Sequence, residues 1–313
     1  MQVFGVSRIL NEADLIEPFI RHHAALLDGH IVLDGGSTDG TVEILRELRG
    51  EGLNLQVYQS SSPIFVETIL NTGLYRLAVG AGADWVMFLD ADELLAVRGA
   101  ARAEAVLQLV PAAVPCLRLP LFRYAVPPPD AAHPFMRLTH RDPEPHMPKI
   151  AARRLDPARI SIYAGNHGAF VDGQPDPGLS QDRLLLAHLP DRSPLQSARK
   201  AILGRLKVLA SGAPSAAVFN DHYDPAFQSL QRDPAAWLEQ AAAAQAAAPV
   251  EDPIHYLGGA LRYTRPPDEL ARLLALFAAE GERLARSHGA ILDRKRLIRR
   301  SLLERAAVAK RLF

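Results

Sequence analysis

Cysteine is all but absent: Cys116 is the only one in 313 residues. That excludes an internal disulfide framework and a thiolate-rich metal cluster, and it suits a reducing compartment. Net charge is absent too, since 35 basic and 35 acidic side chains cancel, so no overall field draws the chain to nucleic acid. No apolar run approaches the roughly eighteen residues of a bilayer-spanning helix. Polar Asn11, Glu12 and Asp14 break the first apolar stretch, so the beginning of the chain does not read as a signal peptide. What is present is ordinary for a chain with a full core, 48% hydrophobic and 22% charged over 34.1 kDa, and it predicts a cytoplasmic protein of one large domain or two smaller ones.

The charge balance is not local. Between Ile291 and Phe313 eight Lys and Arg face only Asp293 and Glu304, which leaves an acidic body with a basic end. Residues 293–313 read in two ways. One is a basic amphipathic helix lying on anionic lipid, a peripheral membrane contact; the other is a helix that packs its apolar residues on protein.

Short apolar runs alternate with helical patterns over the first 110 residues. Val3–Val6, Ile31–Leu33, Leu53–Tyr58 and Trp85–Leu89 read as strands, and Ala13–Leu27, Thr41–Arg49 and Glu67–Ala81 as helices. That rhythm predicts βαβ units, hence an α/β fold with a mostly parallel sheet flanked by helices. Prolines crowd the stretch Pro120–Pro148 and argue against a helix or a central strand there. Beyond Ser193 the spacing of Leu195, Ala198, Ile202, Leu206 and Leu209 predicts an amphipathic helix, and helical patterns continue through Trp237–Ala248, Asp268–His288 and Leu292–Phe313. The expected division is a catalytic domain over 1–205, with an acceptor loop at about 120–182, and a helical region over 206–313.

Two segments carry chemistry. Asp90-Ala91-Asp92-Glu93 follows the most apolar strand, where an open α/β sheet binds its ligands. Its carboxylates read either as ligands of a hard divalent cation or as a strand end followed by a helix cap. Asp34-Gly35-Gly36-Ser37-Thr38-Asp39-Gly40-Thr41 follows another strand. Its glycines permit close approach of a ligand, Asp34 can accept from a base or ribose, and Asp39 stands at an N-cap position. The bland alternative is a capped βα turn without a ligand. No Gly-Lys-Ser/Thr ending is present, so this is not a P-loop.

In this order the two segments resemble the family 2 glycosyltransferases of the GT-A fold. The resemblance begins at Ser7-Arg8-Ile9-Leu10-Asn11-Glu12, similar to the R-x-x-N-E turn, and runs through Asp34–Thr41 and the W-x-x-x-x-D-x-D-E stretch from Trp85 to Glu93. It continues to His188, Ser193, Lys200 and Gly204, which resemble an H-x4-S-x6-K-x3-G pattern of a bacterial branch. It implies an enzyme that moves a sugar from a nucleoside-diphosphate sugar to a hydroxyl of a glycan or lipid-linked acceptor. Ser7, Arg8, Asn11, Glu12, Asp34, Gly36, Asp90 and Lys200 would bind the donor, and Asp90, Asp92 and His188 would bind Mn²⁺ or Mg²⁺. A UDP-sugar is the expected donor, although Gly35 stands where many relatives have a second Asp credited with uracil contact. No Q-x-x-R-W motif is present, which argues for a non-processive enzyme. Arg192 and Lys200 are candidates to face the diphosphate. For the base that takes the acceptor's proton, Asp182 ranks first and His167 is the other main candidate, with Asp172 and Asp176 behind them. Two alternatives stand beside this reading. One is a non-enzymatic nucleotide-sugar-binding protein on the same fold. The other is a haloacid-dehalogenase-type phosphatase, which Leu94 and the late position of D-x-D disfavour.

Overall fold

Val3–Ile9 forms β1, buried along almost its whole length, and burial on both faces suits it to the middle of a parallel set. The computed structural model describes residues 1–60, 67–126, 133–210, 223–243 and 249–265, and beyond these 270, 273–274, 277–284 and 286–287. The chain runs from β1 through α1 (Ile16–Leu26), β2 (Gly29–Asp34), α2 (Thr41–Gly50), β3 (Leu55–Gln59) and α3 (Glu67–Gly80) to β4 (Trp85–Phe88). These are the expected βαβ units. Then follow β5 (Glu93–Val97), α4 (Ala103–Leu107), β6 (Cys116–Arg123), β7 (His140–Arg141), β8 (His146–Arg153), β9 (Ile160–Ile162) and β10 (Ala169–Val171). After them come β11 (Gln174–Asp176), β12 (Leu179–Ser180), β13 (Leu184–His188), α5 (Pro194–Ala210), α6 (Tyr223–Arg232), α7 (Pro234–Ala243) and β14 (Val250–Glu251).

Among the described residues the main sheet has nine strands, in the order β3-β2-β1-β4-β8-β6-β13-β5, with β12 beside β6. The first four are mutually parallel, and β6 and β13 are parallel as well. β8 and β5 run against their neighbours, so the sheet is mixed. Two findings correct the sequence reading. Cys116–Arg123 and His146–Arg153 are central strands although Pro120 and Pro148 lie inside them. The register between these strands slips around Leu119 and Leu121, and a bulge is where a proline costs the ladder least. The D-A-D-E turn leads into a strand rather than a capped helix.

The compact unit formed by this sheet spans Met1–Pro267, so the boundary expected at 205 falls inside it. Residues 249–265 form a strap that returns to the first helix. Asp252 N–H donates to Thr139 O and Ile254 N–H to Leu138 O, while Arg98 and Arg141 both pair with the Asp252 carboxylate. Further on, Arg262, Tyr263 and Thr264 aim consecutive backbone N–H groups at the carboxylate of Glu17, at 2.8, 2.7 and 2.5 Å. The Thr264 hydroxyl and Arg21 Nε add two more donors. Asp268–Phe313 forms a second unit, in which the described residues are helical and Glu280–Arg283 and Glu282–Arg286 are ion-paired. The end of the Ala-rich run, 244–248, and the basic segment 293–313 lie outside the described residues. Among the described residues no helix is long and apolar enough to cross a membrane.

Three histidines are buried between α1 and the sheet, each held as a neutral tautomer. His23 donates from Nδ1 to Phe19 O and accepts the Leu95 N–H at Nε2. His22 donates from Nε2 to Leu95 O and accepts the Leu257 N–H at Nδ1. The Ser7 hydroxyl donates to Leu89 O, so His30 Nε2 donates to Ser7 Oγ and leaves Nδ1 buried without a partner. Burial depresses all three, with His30 at about 3. A histidine depressed in the fold takes up its proton only on unfolding. Its stabilisation is complete above pH ~6.5 and is lost as the pH falls toward the folded value. At pH 5 His30 alone has given up roughly 2 kcal/mol. Glu93, which burial pushes up to about 8, and Glu12, which burial also raises, act in the opposite sense. These two carboxyls stand against five depressed imidazoles, since burial lowers His133 and His167 as well. Urea denaturation at pH 7 and pH 5 is expected to show a fall of about 2 kcal/mol or more; equal stabilities would refute the neutral assignment.

Candidate active site

Register brings the site together. β1 pairs with β2 so that Ile9 lies beside Asp34 and with β4 so that Val6 lies beside Phe88. The turns after all three strands therefore share one end of the sheet. β13 pairs with β5 with His188 opposite Glu93, which sets the imidazole next to the D-A-D-E turn, and Leu189 N–H donates to Asp92 O at 2.8 Å. The final part is α5. Ser193 caps the helix, its Oγ accepting the Gln196 N–H at 3.0 Å, while Gln196 Oε1 reaches back one residue further to accept the Arg192 N–H at 3.2 Å. Lys200 lies about two helical turns beyond Ser193. The helix buries Gln196, Ala198, Arg199, Ala201 and Gly204, whereas Leu195, Ile202 and Leu206 of the expected apolar stripe are only half-buried. The inward face is partly polar because it lines the site.

Asp92 is the centre of charge. Lys200 Nζ donates to its Oδ2 at 2.7 Å, and His188 Nε2 lies 3.6 Å from its Oδ1. Burial alone would raise this carboxyl; the Lys200 ammonium and the His188 imidazole overcome that and hold it well below the usual range. Asp90 makes a different pairing, with Lys149 Nζ on β8 at 2.5 Å. The same ammonium donates to Gly165 O at 3.0 Å and stands 3.5 Å from Glu93 Oε1. Burial would lower Lys149, but Asp90 and Glu93 keep it raised and therefore charged. Asp92 and His188 offer a carboxylate oxygen and an imidazole nitrogen side by side, a donor set that fits a divalent cation. Among the described residues no group of three His, Cys, Asp or Glu side chains could hold a metal ion, so any remaining ligands would come from substrate or water.

The R-x-x-N-E turn and the glycine-rich turn grip each other. Asn11, at φ 59°, accepts the Thr38 N–H on Oδ1 and donates its own N–H to Ser37 Oγ. Glu12 N–H donates to Thr41 Oγ1 and Ala13 N–H to Asp39. Asp39 also accepts from Thr41 N–H, but the N-cap residue of α2 is Gly40, at φ 98°. Asp34 is fully buried and spends its carboxylate on Gly36 N–H, Ser37 N–H and Gln59, so it shapes the turn. Gly36, at φ 94° and half-buried, has open space where a Cβ would stand.

Some expected residues are not brought to this place. Ser7 is buried in the sheet between Leu89 and His30. Arg192 turns inward to Glu12 and Asp14 instead of facing a diphosphate. Asp182 is exposed in the bend before β13, beyond the end of that strand opposite His188; Asp172 is tied up with Arg159. His167 does reach the site. With Leu121, Arg123, His146, Met147, His188 and Asp191 it lines a cleft of about 300 Å³. Its Nδ1 donates to Pro148 O at 3.0 Å, which leaves Nε2 unprotonated, and burial together with the Lys149 charge lowers its pKa. Lys149, Asp191, Arg199 and Glu67 were not singled out by the sequence reading. Only Asp191 had a signal, its place between His188 and Ser193 in the fourth motif. The Cys116 thiol is buried and pushed up to about 12, so it is no nucleophile.

Comparison with curated proteins yields no match. Among solved structures the chain is similar to the mannosyltransferase PcManGT from Pyrobaculum calidifontis in complex with GDP-Man and Mn²⁺. The identity is 18%, covering 89% of this chain and 79% of that one, with a TM-score of 0.40. It is also similar to S. aureus TarS 1-349 in complex with UDP, at 14% identity over 74% and 72% with a TM-score of 0.37. A third is glucosyl-3-phosphoglycerate synthase from Mycobacterium tuberculosis, at 21% over 39% and 44% with a TM-score of 0.25. The family described as glycosyl transferase family 2 matches residues 9–98, which hold the Asp34–Thr41 and Trp85–Glu93 motifs whole and the first motif from Ile9 onward.

Proposed function

We propose that this protein is a non-processive GT-A glycosyltransferase that moves a sugar from a nucleoside-diphosphate donor to a hydroxyl of a glycan or lipid-linked acceptor. The observation that carries the reading is the convergence of Asp92, His188 and Lys200, from three separate elements, at the turn ending the segment that matches the family. Asp92 and His188 would hold Mn²⁺ or Mg²⁺, and a bound cation would supply Lewis-acid stabilisation of the departing diphosphate. Lys200 is placed to exchange Asp92 for a phosphate oxygen. The Asn11–Glu12 and Asp34–Gly36 turns receive the nucleoside, and Asp90 helps to fix the metal turn through Lys149.

Transfer needs one bond made and one broken. The acceptor oxygen attacks the anomeric carbon, the bond from that carbon to the β-phosphate oxygen breaks, and the acceptor's proton goes to a base. His167 is the better base of the two expected residues, because its Nε2 is unprotonated and it lines the cleft with His188. His167→Ala is expected to lower kcat about 100-fold with donor affinity unchanged. A full-rate variant would remove His167 from this role. The reading as a whole is tested by isothermal titration of UDP and GDP, and of their sugars, in Mn²⁺ and Mg²⁺, followed by assay for release of the nucleoside diphosphate. Failure of every nucleotide to bind would overturn it.

A further inference from the structure

A buried network runs beneath this site. Arg8 Nη2 donates to Glu67 Oε1 at 2.7 Å, and Glu67 Oε2 accepts the Gly165 N–H at 2.7 Å. Gly165 O accepts from Lys149 Nζ, and Lys149 pairs with Asp90. Asp90 N–H donates back to Glu93 Oε2 at 2.9 Å. The peptide of Gly165 is thus held on both sides, by a carboxylate on its N–H and an ammonium on its carbonyl. Gly165 has φ 69°, and the His167 ring packs so close that a Cβ there would lie 2.5 Å from its Cδ2. The imidazole is seated on this glycine and hung from Pro148 O, the residue before Lys149. One short stretch of β8 therefore controls His167 twice, through the Pro148 carbonyl and through the Lys149 ammonium.

Resting on the transferase reading, we infer that Lys149 is the positioning residue of this site, fixing the carboxylate of Asp90 and the Gly165 turn under His167 with a single buried ammonium. Its geometry supports that role better than a direct one. The side chain is 5% exposed, too little to meet a substrate, and all its contacts belong to the two loops that must keep their distance. A cation is the natural choice for the post. An ammonium presents several donors in a compact head, and this one spends two on Asp90 and Gly165 O while its charge stands 3.5 Å from Glu93 Oε1. Other charged and titratable groups face His167 from the elements around it. Asp90 and Glu67 lie on the network side, and His146, His188, Asp191 and Arg123 across the cleft.

The test uses Lys149→Met, which keeps the length and removes the charge. Because this variant leaves Asp90 and Glu93 facing each other, Lys149→Met/Glu93→Gln serves as a second version in which the buried acid is replaced by its neutral shape. Two readouts are taken. The first is the NMR titration of His167 in nucleotide-free protein, assigned with His167→Ala. The pKa of His167 is expected to rise in whichever variant folds, because the Lys149 charge that depresses it is gone. The second is the split of kinetic constants: kcat about 100-fold lower with donor KM within roughly threefold, the signature of a displaced base with donor binding intact. Wild-type kcat in a folded variant overturns the inference and makes Lys149 a buried counter-ion only, because loss of its charge by itself already raises His167. If the unaltered protein transfers no sugar from any donor, the transferase reading fails, while the His167 titration still reports on Lys149.

Discussion

Asp92→Ala is expected to lower transfer by about 1,000-fold, or roughly 4 kcal/mol of transition-state stabilisation, and to abolish metal-dependent nucleotide binding. Among the described residues its carboxylate is the one side chain that pairs with both Lys200 and His188. The alternatives nearby are committed: Asp90 to Lys149, Glu93 to the Asp90 N–H, and Glu12 to Arg192. The fold should survive, because the contact that fixes this turn to β13 runs from Leu189 N–H to the main-chain oxygen of Asp92, which the substitution keeps. Isothermal titration of UDP with Mn²⁺, beside a thermal melt, separates the two effects. Undiminished affinity in the variant would refute the assignment of Asp92 to the metal, and a collapsed melting temperature would make it a structural residue.

Glu17→Gln is expected to destabilise the protein by about 4 kcal/mol in urea denaturation, the range found when one member of a buried charge cluster is removed. The carboxylate is fully buried and receives five donors. An amide keeps one oxygen and turns an NH₂ toward backbone N–H groups, leaving donors facing donors in a dry place. Burial would raise the Glu17 carboxyl, but the Thr264 hydroxyl and the strap's backbone hold it below its ordinary range. Its contribution is therefore complete above pH ~4.5 and is lost below that. A loss under about 1 kcal/mol would mean that the strap is held by Asp252 and not by Glu17.

Much of the parallel half was legible because its signals are local and periodic. Trp85–Leu89 could be only a buried strand, and the helices expected at Thr41–Arg49 and Glu67–Ala81 end within one residue of those observed. The D-A-D-E turn, His188 and Lys200 were found together because each belongs to a motif of fixed spacing. β6 and β8 were hidden because proline was weighed as a breaker, while the bulge that tolerates it depends on the partner strand. Lys149 gave no signal: a lone lysine between Pro148 and Ile150 looks like surface until β4 is laid beside β8. The partly polar inner face of α5 was likewise invisible to a hydrophobic stripe, since Gln196 and Arg199 are buried for what they bond, with Arg199 donating to Asn11 O. The strap defeats sequence reading most completely. Its grip on Glu17 is made largely by backbone N–H groups, which every residue but proline possesses.

The strap also sets an order of events during synthesis. Glu17 waits for partners 245 to 247 residues downstream, and at ribosomal speeds of about 5–20 residues per second that is a delay of roughly 12 to 50 seconds. Throughout it, the first helix holds an acid that cannot be buried without cost, and His22 waits equally for Leu257. The N-terminal βαβ units therefore cannot close over α1 in their final form as they leave the ribosome. A nascent chain stopped before residue 262 presents an unfinished helix face to chaperones and proteases, however complete its active-site motifs are.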